Sequence, residues 1–175
     1  MVISQEIKDK IKKESEDFLK EYDQYAGNSK EKRNELGQFY TPPELTSQML
    51  EMFDCTIEEF AIKDIMDPTC GSGNLIMGAL IVGSSINKKY PEKVFGNELD
   101  IGPLKLCRKR FAHYCKENGM PQYDEKFWEW HLHQGNALEK SCIEYESFTP
   151  DYKFDEVSGK RAIGNKKGFS LNRRK

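Results

Sequence analysis

The sequence contains no run of 18 apolar residues, so no membrane-spanning helix is expected. It has no C-x-x-C pair. Its five cysteines, Cys55, Cys70, Cys107, Cys115 and Cys142, are odd in number and widely spaced. That argues against a disulfide framework and for free thiols in a reducing compartment. Histidine is scarce, with three in 175 residues. The one close pair, His131 and His133, has Cys142 nine residues further on but lacks a fourth ligand for zinc, so no metal site is expected. The N-terminus lacks the apolar stretch of a secretory signal and is charged from Glu6 onward, which points to a cytoplasmic protein. There is no internal repeat.

What is present suits one compact domain. The apolar share is 37% over 175 residues, enough for one core and hardly for two. The net charge of −2 hides an uneven distribution. Residues 151–175 hold eight Lys/Arg against three Asp/Glu, and the remainder is net acidic. The basic tail reads either as a solvated end or as a phosphate-contacting segment.

Residues 4–26 read as an amphipathic helix, with Ile7, Ile11, Phe18, Tyr22 and Tyr25 near helical spacing and Gly27-Asn28-Ser29 ending it. This helix could dock on its own domain or on another chain. Thr41 is the expected N-cap of a helix over about 43–53, with Pro42 as its first residue and Glu44 in the capping-box position. Residues 58–61 suggest a short helix. Ile62 to Met66 reads as a buried strand ending at Asp67, and Asn74 to Ser84 as a helix of small and apolar residues. A second strand is expected over Lys93 to Asn97, ending at Glu98. A helix over Pro103 to Asn118 carries Leu104, Cys107, Phe111 and Cys115 on one face. Trp128 to Gln134 alternates like a strand and stops at Gly135-Asn136, and Tyr152 to Val157 is a weaker fourth strand. Strand, helix, strand, helix, strand is the order of a parallel sheet with crossover helices.

In such a sheet, ligands bind beyond the carboxyl ends of the strands. Three of those ends are polar here. In Asp67-Pro68-Thr69-Cys70-Gly71-Ser72-Gly73-Asn74 the glycines allow a tight turn and close ligand approach. The helix that follows points N–H groups and partial positive charge at the same space, which suits a carboxylate. Glu98 can accept two ribose hydroxyls, and Asn136 can pair with an adenine edge. Arg108-Lys109-Arg110 reads as a solvated helix face, the histidine pair as exposed strand residues, and Trp128 and Trp130 as packing or pocket-closing rings.

Gly37-Gln38-Phe39-Tyr40-Thr41-Pro42, followed by Asp67 to Asn74, resembles the N6-adenine DNA methyltransferases. The group that includes type I modification subunits and related N-6 DNA methylases is the most similar. The resemblance covers residues 33–140. It implies a three-layer α/β sandwich of the Rossmann-like, S-adenosyl-L-methionine-dependent type, here with a shortened parallel sheet. It divides the chain into a helical extension over 1–28, a cofactor-binding core over 29–150 and a basic segment over 151–175. It implies S-adenosyl-L-methionine as cofactor. Phe39, Tyr40 and Thr41 would lie near its methionine end, and Asp67, Thr69, Gly71, Gly73 and Asn74 around its amino and carboxylate groups. Glu98 and Leu99 match the family's acidic ribose site. Asn136 and Ala137 stand in the family's G-D-x-L, with Asn136 for the usual Asp.

The family's catalytic Asn/Asp-Pro-Pro-Tyr/Phe has no counterpart in the chain. Ala162 to Phe169 echoes it, with Lys166-Lys167 for the prolines, which makes Asn165 and Phe169 the candidate catalytic residues. Three readings follow. In the first, a DNA adenine-N6 methyltransferase module is completed by a partner or by an unusual loop. In the second, a methyltransferase-fold binding protein lacks the chemistry and sequesters cofactor or acts as a partner or decoy in restriction-modification or phage-defence complexes. The third is methyl transfer to RNA or protein.

Overall fold

The computed structural model describes residues 1–25, 41–138, 150–155 and 160–166, and of 19–25, 150–155 and 160–166 the backbone alone. The elements are α1 (Gln5–Tyr25), α2 (Pro43–Glu51), α3 (Ile57–Phe60), β1 (Ile65–Asp67), α4 (Asn74–Ser84), a 3-10 turn (Tyr90–Lys93), β2 (Val94–Glu98), α5 (Ile101–Glu117), α6 (Glu125–His131) and β3 (Leu132–Gln134). A separate pair, β4 (Pro150–Asp155) and β5 (Lys160–Lys166), follows.

Strands β1, β2 and β3 form one parallel sheet with β2 in the middle. Ile65 pairs with Val94, and Gly96 with Leu132. The α/β class and the parallel order expected from the sequence are therefore present. The fourth strand is not part of that sheet. It pairs antiparallel with β5 in a two-stranded sheet of its own. Its sequence of polar and charged residues explains this, because a further inner strand of a parallel sheet would be buried on both faces.

Helix α4 supplies the centre of the core. Ten of its eleven residues are buried. Its glycines admit close neighbours. A side chain at Gly78 would overlap Thr46 of α2, and one at Gly83 would overlap the Tyr90 ring. Helix α5 turns Leu104, Cys107, Phe111 and Cys115 inward, all fully buried, as their spacing predicts. Helix α1 docks on its own domain. Ile3, Ile7 and Ile11 join the same core cluster, and Phe18 is buried. The Gly27-Asn28-Ser29 stop lies outside the described residues.

Three local expectations are corrected. Thr41 does not cap α2. Pro42 is the N-cap, with ψ 150°, and no side chain caps the helix. Each proline disfavours helical backbone in the residue before it, so the helix starts only at the second of the pair, Pro43. The capping box is at α3 instead, where Thr56 and Glu59 exchange backbone-to-side-chain bonds at 2.9 and 3.1 Å. Residues 128–131 are helical rather than strand. Asp124 caps α6 through the Phe127 N–H at 2.8 Å, and the strand is confined to 132–134.

His131 consequently ends a helix and is buried, its ring stacked on Phe95 at 4.6 Å and on Phe127 at 4.0 Å. Of the two histidines, His133 alone is exposed on the strand. Trp128 packs in the core, edge-on to Phe111 and Phe127. Alternation along the strands places Phe95 and Met66 on the face opposite Gly96. There Phe95 meets Trp130 and His131, whereas Met66 is 42% exposed.

Gly83→Ala tests the close packing of α4. Alanine gains about 1 kcal/mol of helix propensity, but the overlap with the fully buried Tyr90 costs about 1–3 kcal/mol. The expected outcome is a lower urea midpoint with an unchanged slope, measured by circular dichroism.

Candidate functional site

The carboxyl ends of β1, β2 and β3 lie side by side, as their shared parallel register requires. The loop after β1 is held from β2. Cys70 N–H donates to the Asn97 carbonyl at 2.8 Å, and Gly71 N–H donates to Glu98 Oε2 at 2.8 Å. The loop after β3 is held from the same two residues, because Gly135 N–H donates to the Glu98 carbonyl at 3.0 Å. The Asn97 side chain joins both loops. Its Nδ2 donates to the Pro68 carbonyl at 3.2 Å and to the Gly135 carbonyl at 2.8 Å. Asn97 is fully buried, and its Oδ1 has no partner among the described residues.

The glycine-rich turn depends on two left-handed residues, Gly71 at φ 55° and Gly73 at φ 89°. Among the described residues a side chain at Gly71 would meet only Glu98 Oε2, at 3.9 Å, so the backbone is open to approach there. Gly73 has no such room, since a side chain would overlap Cys107 Sγ. Beneath the turn, Cys70 Sγ lies 3.8 Å from the Gly71 carbonyl. The neighbouring Cys107 thiol and burial push the Cys70 thiol well above its ordinary range and keep it neutral. The four described cysteines are free, as expected.

Two carboxylates face this space. Asp67 Oδ1 accepts the Thr69 N–H at 2.9 Å, which closes a local turn. Burial raises the Asp67 carboxyl above its ordinary value. The Thr69 bond opposes that shift, and the Glu98 charge adds to it. Glu98 also accepts the Asp100 N–H at 2.9 Å through Oε1. Leu99, beside it, is 66% exposed. Asn136 Oδ1 accepts the Leu138 N–H at 3.0 Å, and Ala137 is half-buried.

The structure thus brings Asp67, Thr69, Gly71, Gly73, Glu98, Leu99, Asn136 and Ala137 to one end of the sheet. Asn74 begins α4, but its side chain is committed inward. It accepts from Arg110 through Oδ1 and donates to the Thr41 carbonyl through Nδ2 at 3.1 Å. That bond ties Thr41 to the turn. Phe39, Tyr40 and Phe169 lie outside the described residues. Asn165 sits in β5, opposite the irregularity between Pro150 and Asp151, in a sheet separate from the strand ends.

The 108–110 charge run is not a solvated face. Helical geometry turns successive side chains by about 100°, so residues on either side of Lys109 border the buried stripe. Arg108 reaches the Leu132 carbonyl at 3.0 and 2.7 Å, and Arg110 is 6% exposed. Reading residues one at a time also misses Asn97. Its signal is its place next to Glu98 at a strand end. A groove of about 480 Å³ between α1 and α5, which includes Lys10, Asp17 and His113, carries charges of both signs and lies on the helical side. Among the described residues no cluster could hold a metal ion, and no helix is long and apolar enough to cross a membrane.

The sequence model of the N-6 DNA methylase family matches residues 13–134, which span α1 to β3. The chain belongs to that family. No curated protein and no solved structure matches it significantly.

The Asp67 carboxyl has a folded value raised above its unfolded one. Its ionisation therefore costs stability, a cost absent below the unfolded value and complete above the folded value. Asp67→Asn keeps the acceptor for Thr69 without the charge. It is expected to melt above wild type at pH 7, with the gap closing as the pH falls through the carboxylate range. Thermal melts at stepped pH check this.

Proposed function

We propose that the chain binds S-adenosyl-L-methionine at the ends of β1, β2 and β3, as the cofactor-binding module of a DNA adenine-N6 methyltransferase. The observation that carries the reading is the convergence on β2. Glu98 at its tip lies 2.8 Å from the Gly71 N–H, with Asp67 on one side and Asn136 on the other. Membership of the N-6 DNA methylase family supports the same reaction class.

The residues fit the group. Asp67 offers an anion to an ammonium. The open backbone at Gly71 and the start of α4 suit a carboxylate. Glu98 can accept ribose hydroxyls, with Leu99 and Ala137 as apolar contacts and Asn136 as an amide for the adenine edge. Thr41, with the preceding Phe39 and Tyr40, would border the methionine end. Gly73 and Asn74 act by shaping the turn. When bound, the cofactor supplies a methyl group on a positively charged sulfur. The fold we propose is a three-layer sandwich of which this sheet is one portion, with 29–150 as its core and 1–28 and 151–175 as flanking segments. DNA is the proposed substrate, and a partner chain is the proposed source of target recognition, as in a restriction-modification assembly. A cytoplasmic location accords with free thiols.

A second reading is cofactor binding without transfer. It is favoured by the lack of an Asn/Asp-Pro-Pro-Tyr/Phe sequence and by the place of Asn165 in an antiparallel pair. Prolines would stiffen a loop that aims a carbonyl at the substrate amine, and lysines do not.

Titration calorimetry with S-adenosyl-L-methionine is expected to show one site on the wild type. Glu98→Gln should weaken it roughly 10- to 100-fold, because hydrogen bonds to a charged acceptor are lost. A wild type that takes up no heat would refute the proposal. Tritiated methyl transfer to unmethylated DNA then separates the readings. Transfer abolished by Asn165→Ala favours the enzyme, and no transfer favours the binding protein.

A further inference from the structure

Arg110 is a buried cation in the middle of α5 that the strand-end site does not use. Its guanidinium bonds in two directions. Nε and Nη2 donate to the two carboxylate oxygens of Glu14 on α1, at 3.1 and 2.5 Å. Nη1 donates to the Ser72 carbonyl and to Asn74 Oδ1, both at 2.8 Å. The Phe18 ring of α1 lies against its face, 3.7 Å from ring centroid to Cζ. Through Asn74 the same network reaches the Thr41 carbonyl.

We propose that Arg110 is a positioning residue for the glycine-rich turn, held in place by Glu14 and Phe18 of α1. This rests on the proposed cofactor reading for its effect on binding, but not for its effect on the turn.

Ser72 stands between the two left-handed glycines, where the backbone has the most freedom to rearrange. Its carbonyl is pinned by a charged donor. A planar guanidinium can serve Glu14 along one edge and the turn along another, and an ammonium cannot do both. Without Glu14, the acceptors left to the guanidinium at the turn, the Ser72 carbonyl and Asn74 Oδ1, are neutral. The buried cation would favour any rearrangement that reaches water, and the turn would lose its anchor. Helix α1 is thus part of the site's machinery although it contributes no group to the strand ends.

Hydrogen exchange and calorimetry on the full chain test this with two variants. Glu14→Gln removes the charge and keeps the shape. Arg110→Lys keeps the charge and loses the fork. Both are expected to speed amide exchange across 70–76 about tenfold while exchange in β2 and β3 stays at wild-type rates. Both should weaken S-adenosyl-L-methionine binding about tenfold, within the range that supporting contacts carry. Unchanged exchange at the turn would overturn the proposal, as would a rise spread evenly over the chain. If the wild type binds no cofactor, the functional reading fails, and exchange at the turn still decides the role of Arg110.

Discussion

The last two residues of β2 hold both neighbouring loops. β2 is hydrogen-bonded on each side, so its tip is the only place from which one residue can reach the loop after β1 and the loop after β3. Asn97 does so with its side-chain amide, and Glu98 with its carboxylate on one side and its carbonyl on the other. These bonds give the loops' backbone groups partners outside any helix or strand ladder. Gly96, just before, permits the arrangement, since a side chain there would come within 2.8 Å of Cys70 Sγ and 3.0 Å of Ile76. The strand's sequence therefore answers first to its neighbours and only then to a ligand.

Arg110 extends that constraint beyond the sheet. A buried ion pair is weak evidence of stability, because desolvating two charges costs about as much as their attraction returns. Its worth lies in geometry. The guanidinium fixes α1, α5 and the turn in one relation, and a mispositioned α1 would leave it unpaired. The apolar contacts of Ile3, Ile7 and Ile11 hold α1 against the core, and the arginine decides how it sits.

The elements most legible in the sequence were those with an unbroken pattern. Asn74 to Ser84 reads as a helix because nearly every residue is apolar or small, and its bounds agree with α4. The parallel order followed from the alternation of strands and helices. What was misread had competing local signals. Trp128 to Gln134 alternates in hydrophobicity, but Asp124 begins a helix four residues earlier, and one turn of helix buries Phe127, Trp128 and His131 together. The run at 108–110 reads as solvent-facing by charge alone. Its true placement depends on Glu14, 96 residues away in sequence, and no local pattern carries a contact of that range. The positions of Asp67, Gly71 and Glu98 at the strand ends were legible because carboxylate and glycine mark where an apolar run stops. Asn97 was not, because its partners are backbone carbonyls, which every sequence has.

The pairing of Asp67 and Glu98 bears on what such a site can bind. Two carboxylates share a partly buried space, and the Glu98 charge adds to the cost of ionising Asp67. Backbone N–H groups from Thr69, Gly71 and Asp100 answer part of that charge. These are dipoles, and they leave a net negative potential at the strand ends. An anionic ligand would add to the imbalance and a neutral one would leave it, whereas a cationic one would relieve it. The start of α4 beside them offers the opposite polarity, suited to one anionic group. A ligand with separated positive and negative ends meets both demands at once, and a simple nucleotide, with its clustered phosphates, meets only the second. Electrostatics alone therefore favours a ligand with separated charges over one with clustered phosphates at this end of the sheet.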